Sequence, residues 1–147
     1  MKRSILYLIA VCCLTLLLSG CASTTENAYH DFMNGNYVKA IKINGYEWGV
    51  SSQGNNYNDT TFSKFTGVVS LNTFDISPNQ KTTIIFSSKN IKGKFIAALI
   101  DMNSNKKVKT FMNNAKDSFE LTSNKPGKYC LAIAGYKSSG KFTINYN

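Results

Sequence analysis

The amino-acid sequence predicts an all-β protein whose folded part is a single antiparallel β-sandwich of seven to nine strands. Three observations lead to this prediction. After residue 36, apolar residues alternate with polar ones, as they do in strands with one buried face. Turn-forming residues recur roughly every 8–12 residues, which is the spacing typical of short antiparallel strands. No stretch of this region keeps a helical period for more than about two turns.

The first twenty residues are predicted to be a signal peptide that is removed from the mature chain. Lys2 and Arg3 form a positively charged start, and an apolar run from Ile5 to Leu17 follows them. This run fits a secretory signal and is shorter than the roughly 20 residues that a membrane-spanning helix needs. The motif "LSGC", which ends at Cys21, comes directly after the run.

This order of segments resembles the precursors of bacterial lipoproteins. "LSGC" is similar to the lipobox, in which a small residue precedes the cysteine that becomes lipidated. The resemblance implies cleavage before Cys21, a diacylglyceryl thioether on its sulfur and, commonly, acylation of the freed amine. Two or three acyl chains hold a protein stably at a membrane. We therefore expect a chain that is anchored through Cys21 to the extracytoplasmic face of the cell membrane and does not span it.

The mature chain divides into a polar tether, residues 21–36, and a sandwich domain, residues 37–147. The tether is expected to hold at most one helical turn, near Tyr29 to Met33. The candidate strands of the domain are separated by turn-forming segments. They are Tyr37–Ile43, Tyr46–Ser52, Phe62–Leu71, Thr82–Ser88, Phe95–Asp101, Val108–Met112, Ser118–Thr122, Lys128–Ala134 and Lys141–Tyr146. Within them "KFIAALID" is apolar on both faces, which predicts a central strand covered on each side.

The first two candidate strands are expected to form a hairpin. Asn44-Gly45 is a strong hairpin signal, because a two-residue type I′ turn needs a positive φ at both positions. In that register Ile43 faces Tyr46, and the single tryptophan, Trp48, joins a continuous apolar face. We therefore expect Trp48 in the core.

The strand that contains Leu131 and Ile133 is expected to have one small-residue face. Cys130, Ala132 and Ala134 alternate with the larger residues. Small side chains predict that another strand, or the hairpin at Asn44, packs closely against them. Cys130 is then a buried thiol, and it has no disulfide partner within the chain because the other mature cysteine carries lipid.

From about residue 63 to residue 147, the order of motifs resembles small bacterial lipoproteins and the domains of the prepeptidase C-terminal type that follow secreted peptidases. The resemblance rests on "FDISPNQ", "TTIIFSSK", "GKFIAALIDMNSNKKV" and "KPGKYCLAIAGYKSSGKFTINY". It implies a jelly-roll-like β-sandwich. The acidic loop positions of the peptidase-associated form are not matched here, because Asp101 has no companion carboxylate nearby.

The sequence offers little catalytic or metal-binding chemistry. Its only histidine, His30, lies in the predicted tether, and a hydrolase would need two scattered carboxylates, such as Asp59 and Asp75, to meet in space. Asp101, Asn103 and Asn105 imitate the first half of a calcium loop. The glycine and glutamate that such a loop requires later are replaced by lysine and methionine. No metal and no cofactor are expected.

One polar loop is the candidate ligand site. Long polar loops on a rigid sandwich are frequent binding sites, and amides beside a tyrosine can hydrogen-bond a sugar or a peptide. The residues of this candidate loop are Gln53, Asn55, Asn56, Tyr57, Asn58 and Asp59.

Composition restricts the partners and ranks the functions. The mature chain has fifteen lysines, no arginine and eight acidic residues, a net charge of +7. This composition indicates an AT-rich genome, typical of a low-GC Gram-positive bacterium. Export and the lack of arginine argue against nucleic acid as a partner.

We expect a non-enzymatic binding module for a cell-wall component, a peptide or a protein. The alternatives are an immunity or phage-exclusion lipoprotein, and then a hydrolase with a carboxylate site.

Overall fold

A computed structural model describes residues 23–49 and 59–147, apart from the side chains of residues 47–49. The described part of the chain starts with two helices, α1 (Thr24–Met33) and α2 (Tyr37–Ile43). Six strands follow them in the described residues. They are β1 (Tyr46–Gly49), β2 (Asp59–Ile76), β3 (Lys81–Asp101), β4 (Lys106–Phe111), β5 (Lys116–Thr122) and β6 (Gly127–Tyr146). The prediction of an all-β, antiparallel fold is confirmed, and two pairs of predicted strands run together into β3 and β6.

The strands form one hydrogen-bonded sheet in the order β1-β2-β6-β3-β4, with β5 also paired to β3. The first part of β3, from Lys81 to Ser87, pairs with β5, whereas the part from Ala97 to Asp101 pairs with β4. β6 lies between β2 and β3 along its length. The long strands β2, β3 and β6 thus divide the sheet into two halves, which fold together as the two layers of a sandwich.

The fold-over of the sheet is made by bends in the three long strands. The strand pairing shifts register between Phe62 and Gly67 and between Lys89 and Lys94. Such irregularities bend and twist a strand locally. Residues with positive φ occur at the bends in all three strands: Lys64, Gly67, Asn90, Gly93, Lys137 and Gly140. At Gly93 a Cβ would lie 2.6 Å from the carbonyl oxygen of Lys137, so this close approach requires glycine.

Aromatic rings fill the core between the two halves. The rings of Phe62 and Phe95 stack with centroids 5.2 Å apart. The ring centroids of Phe86 and Phe111 lie 5.5 Å apart across the core. Alternate residues of β3 and β6, such as Leu99, belong to the same buried cluster. This cluster is the sandwich core that the alternating pattern predicts.

A second buried cluster lies on the outer face of one half of the sheet. The small residues predicted to be closely packed are all buried there: Cys130, Ala132 and Ala134. They belong to one cluster with residues of α1 and α2, including Phe32 and Ile41. The prediction of close packing is confirmed, although helices cover this face instead of a strand or hairpin.

The predicted hairpin at Asn44 is wrong. Residues Tyr37–Ile43 form α2, and Tyr46 pairs with Gly67 of β2 instead of facing Ile43. Asn44 does adopt a left-handed conformation, with φ 42°, but as the C-terminal cap whose N–H donates to Ala40. Because both a type I′ turn and a helix C-cap favour asparagine with positive φ, the local signal did not distinguish them. The backbone of Trp48 lies in β1, and its side chain is outside the described part of the chain.

Most of the predicted tether is folded. α1 extends from Thr24 to Met33, well beyond the single turn expected near Tyr29. The Ser23 side chain accepts a hydrogen bond from the N–H of Glu26, which caps the first turn of the helix. Ala28 and Phe32, one helical turn apart, are buried against the sheet. The packed part of the chain therefore includes α1 and does not begin at residue 37.

Candidate functional site

Six of the seven residues predicted for the lipidation site and the ligand loop lie outside the described part of the chain. These are Cys21 and, in the polar loop, Gln53, Asn55, Asn56, Tyr57 and Asn58. Asp59 is described as the exposed first residue of β2. Its carboxylate lies 2.9 Å from Lys141 Nζ in a solvent-accessible ion pair. Asp59 therefore forms part of the sheet surface beside the loop.

The single histidine and the buried cysteine do not come together. His30 is exposed on α1, with Nε2 3.8 Å from a carboxylate oxygen of Glu26. Cys130 is buried on the helix-covered face, and its sulfur lies 3.1 Å from Ser70 Oγ. Burial raises the pKa of the Cys130 thiol, which opposes formation of a reactive thiolate. The prediction that Cys130 is a buried thiol is confirmed.

The carboxylates named as a possible pair occupy the two ends of β2. Asp59 lies opposite Thr143, whereas Asp75 lies opposite Lys128. Among the described residues no three histidine, cysteine, aspartate or glutamate side chains are grouped as metal ligands.

Asp101 organises the turn between β3 and β4. Its carboxylate accepts hydrogen bonds from the N–H groups of Asn103 and Ser104, at 2.9 and 3.2 Å, and from the Ser104 hydroxyl at 2.7 Å. Partial desolvation raises the pKa of Asp101, but the hydrogen bonds outweigh it and hold the pKa below its ordinary value. Asp101 and Asn103, which imitate part of a calcium loop in the sequence, thus belong to a turn that the Asp101 carboxylate stabilises.

Three turns gather at the end of the sandwich farthest from the bends, and we call them the loop end. They comprise residues 77–80, 102–105 and 123–126. The N–H of Asn79 donates to the carbonyl of Ser123 at 2.8 Å, which joins the first turn to the third. The N–H of Met102 donates to Lys128 at 2.8 Å, next to the third turn. The two sheet halves meet at the same end through the rings of Phe74 and Tyr146, 5.5 Å apart.

Two open depressions lie on the loop end. The larger has a volume of about 640 Å³ and is lined by Asn79, Lys81, Glu120, Thr122, Ser123 and Asn124. The smaller, of about 340 Å³, includes Asn103 and Pro126 on its wall. The linings offer both hydrogen-bond donors and acceptors, from amides, hydroxyls and the exposed Lys81–Glu120 ion pair. Such a surface suits a polar ligand.

The opposite end of the sandwich is basic. Six lysines from three strands lie at or beside the bends, and we call them the lysine bend. They are Lys64 in β2, Lys89, Lys92 and Lys94 in β3, and Lys137 and Lys141 in β6. In the register of β3 with β6, Lys89 lies directly opposite Lys141. Both residues and Lys92 line one depression of about 400 Å³. In the sequence only the three lysines of β3 are close together. The lysines of β2 and β6 lie beside them because these strands pair in one sheet.

The start of α1 lies nearer to the lysine bend than to the loop end. A Cβ on Gly45 would lie 3.7 Å from the carbonyl oxygen of Thr24, and the Gly45 carbonyl accepts from Val68, just past the bend in β2. Beyond the C-terminus of α1, the carbonyl of Gly35 accepts from the Asn105 side chain at the loop end. The helix therefore runs from the bend side towards the loops.

None of the helices in the described residues is long and apolar enough to cross a membrane.

Comparison with known proteins shows a structural likeness. No protein-family model and no curated protein matches the sequence. The fold is similar to the crystal structure of a pre-peptidase C-terminal domain of collagenase from Bacillus anthracis. The TM-score is 0.40 at 17% identity, over 71% of this chain and 89% of the collagenase domain.

Proposed function

We propose that the protein is a lipid-anchored, extracytoplasmic binding module without catalytic activity, from a Gram-positive bacterium. The lipid is attached to Cys21, and the sandwich presents its loop end to a cell-wall component, a peptide or a partner protein. The observation that supports this proposal is the opposite placement of the two ends. α1 starts on the bend side, close in sequence to Cys21, whereas the three turns gather at the far end.

The loop end suits a binding role for physical reasons. The turns are held by the packed sandwich and by hydrogen bonds such as those from Asn79 and to Asp101. A rigid support reduces the conformational entropy that the loops lose when a ligand binds. The two open depressions offer donors and acceptors over a surface that directly faces solvent.

The anchor is tested by metabolic labelling with an alkyne analogue of palmitate. The protein with Cys21 intact is expected to be labelled and to stay with membranes that are washed in about 0.5 M salt, and Cys21→Ala is expected to lose both properties. Membrane association of Cys21→Ala that persists through this wash without label would contradict lipid anchoring.

The ligand surface is tested by site-specific photo-crosslinking in growing cells. A photoreactive amino acid is placed at Asn103 or Asn124 on the loop end, and at Met112 as an exposed control in the turn at the other end. We expect discrete adducts from the two loop-end positions and not from Met112. Identical adducts from all three positions, or none from the loop end, would refute this assignment.

A further inference from the structure

Among the described side chains, little negative charge lies against the lysine bend. Within the described side chains, the group has one ion pair, between Lys141 and Asp59. Lys64, Lys89, Lys92, Lys94 and Lys137 are exposed. Since like charges repel, a group of this kind is stabilised when an anionic surface lies against it.

A tyrosine lies among these lysines and connects them to α1. The ammonium groups of Lys94 and Lys137 lie 5.9 and 5.2 Å from the ring centroid of Tyr136. The other neighbour of this ring is Tyr29 of α1, at 5.7 Å. A half-buried tyrosine beside exposed lysines is the combination that favours the headgroup layer of a membrane, where aromatic rings and long cationic side chains are both accommodated.

The position of the anchor selects the anionic surface. Cys21 precedes Ser23, the first described residue, by two positions, which span at most about 7 Å. Lipid attached to Cys21 thus holds the start of α1 close to the headgroups, and this start lies on the side of the lysine bend. A soluble polyanion is not held beside this end, whereas the membrane that carries the anchor is.

We propose that the lysine bend is a docking surface for the anionic phospholipid headgroups of the membrane that carries the lipid anchor. This inference rests on the proposed anchoring of Cys21. In this orientation the lysine bend faces the bilayer and the loop end is directed away from it. The acyl chains attach the protein, and the lysines fix its orientation. Each lysine near an anionic membrane strengthens binding by about fivefold, and the effect is screened by salt.

Binding is tested with the mature chain, residues 21–147, carrying Cys21→Ser so that no lipid contributes. Co-sedimentation is measured with phosphatidylglycerol-containing vesicles and with pure phosphatidylcholine vesicles, at about 0.05 M and about 0.5 M salt. The bend variant is Lys89→Gln with Lys92→Gln and Lys94→Gln. The matched control removes three charges at and beside the loop end: Lys106→Gln, Lys107→Gln and Lys125→Gln. All six side chains are exposed, and circular dichroism checks that both variants fold.

The wild-type chain is expected to bind the anionic vesicles and not the neutral ones, and to release them at high salt. The bend variant should bind roughly 100-fold more weakly, whereas the control should lose less than about fivefold. If the two variants lost vesicle affinity equally, binding would depend only on the net charge of the protein. The proposal that the lysine bend is a docking surface would then be overturned. Binding to soluble poly(glycerol phosphate) is compared with binding to vesicles at the same phosphate concentration. Tighter binding to the soluble polymer would overturn the proposal and indicate that the lysine bend binds a wall polymer.

Orientation is tested separately on the lipidated mature protein, residues 21–147, in phosphatidylglycerol vesicles. A fluorophore is attached to Lys92→Cys or to Lys107→Cys, and a headgroup nitroxide is used as quencher. Quenching is expected to be stronger at position 92, and equal quenching would overturn the proposed orientation. Failure of the anchor is recognised independently by the loss of palmitate label, and it leaves the vesicle result with the unlipidated chain unaffected.

Discussion

The ring of Tyr29 in α1 packs on the ring of Tyr136 in β6, with centroids 5.7 Å apart and planes inclined by 33°. Tyr136 is also the ring beside Lys94 and Lys137. This aromatic pair therefore joins α1 to the basic end of the sandwich. Because α1 packs on the sheet, the segment from Thr24 to Met33 is a fixed element and does not act as a flexible spacer.

Replacing Phe32 by alanine should detach α1 from the sheet. Phe32 is 1% exposed and lies in the cluster with Cys130 and the alanines of β6. Loss of a buried phenylalanine costs about 3–5 kcal/mol. Urea unfolding followed by circular dichroism should show this loss. The adjacent Met33→Ala is the control, since Met33 is 51% exposed and its loss should change stability by less than about 0.5 kcal/mol. Equal, small effects would mean that α1 behaves as a tether.

Gly67→Ala should disrupt the pairing of β1 with β2. The φ of Gly67 is 126°, and a Cβ there would overlap the carbonyl of Gly45 and come within 2.7 Å of Tyr46 Cα. We expect a loss of about 2 kcal/mol or more, because two backbones must move apart.

The matched control for Gly67 is Gly35→Ala. Gly35 also has a positive φ, 87°, but no heavy atom lies within 4 Å of its built Cβ. Its substitution should cost only the backbone strain, about 1 kcal/mol. If thermal unfolding showed the same loss for both glycines, steric overlap at Gly67 would not be the cause.

Side-chain alternation was enough to predict the sheet from the sequence. Leu131 and Ile133 alternate with small residues, and their division between two buried faces follows from the period of two in a strand. The helix α2 could not be predicted in this way. Tyr37, Val38 and Ile41 all have high β propensity, and the segment is helical because it docks on the small face of the sheet.

The lysine bend could not be predicted from spacing either. Lys64, Lys92 and Lys137 belong to three strands that are far apart in the sequence. They come together because β2, β3 and β6 all bend at the same level of the sheet. Neither residue type nor local pattern records where a long strand bends.

The thiol of Cys130 should resist modification in the folded protein. It is 1% exposed, and burial raises its pKa, so both access and thiolate formation are suppressed. In the segment from Ser23 to Asn147 it is the only cysteine. Maleimide labelling of this segment should therefore be slow without denaturant and fast in concentrated urea. Rapid labelling under native conditions would show that α1 and α2 do not cover this face.

The ion pair between Asp117 and Lys109 should make stability depend on pH in the acid range. The Asp117 side chain is 10% exposed, and its carboxylate lies 3.0 Å from Lys109 Nζ. Partial desolvation raises the pKa of Asp117, but hydrogen bonds from Lys109 and from the N–H of Met112 outweigh it, so the pKa is lowered. A lowered pKa stabilises the folded state above the unfolded carboxyl pKa of about 3.9. This contribution is lost as the pH falls through the folded-state value.

Asp117→Asn should accordingly lower the free energy of unfolding by about 1–3 kcal/mol at neutral pH, the size of a hydrogen bond to a charged group. The difference from the wild type should shrink as the pH falls below the unfolded carboxyl pKa and through the lower folded-state pKa, because the wild-type carboxyl then also becomes protonated. Urea unfolding at a series of pH values measures it. Glu120→Gln is the control, because the Lys81–Glu120 pair is exposed on both sides and such pairs contribute about 0–1 kcal/mol. A loss for Asp117→Asn that stayed constant down to low pH would assign the effect to packing and exclude the charge of the carboxylate as its origin.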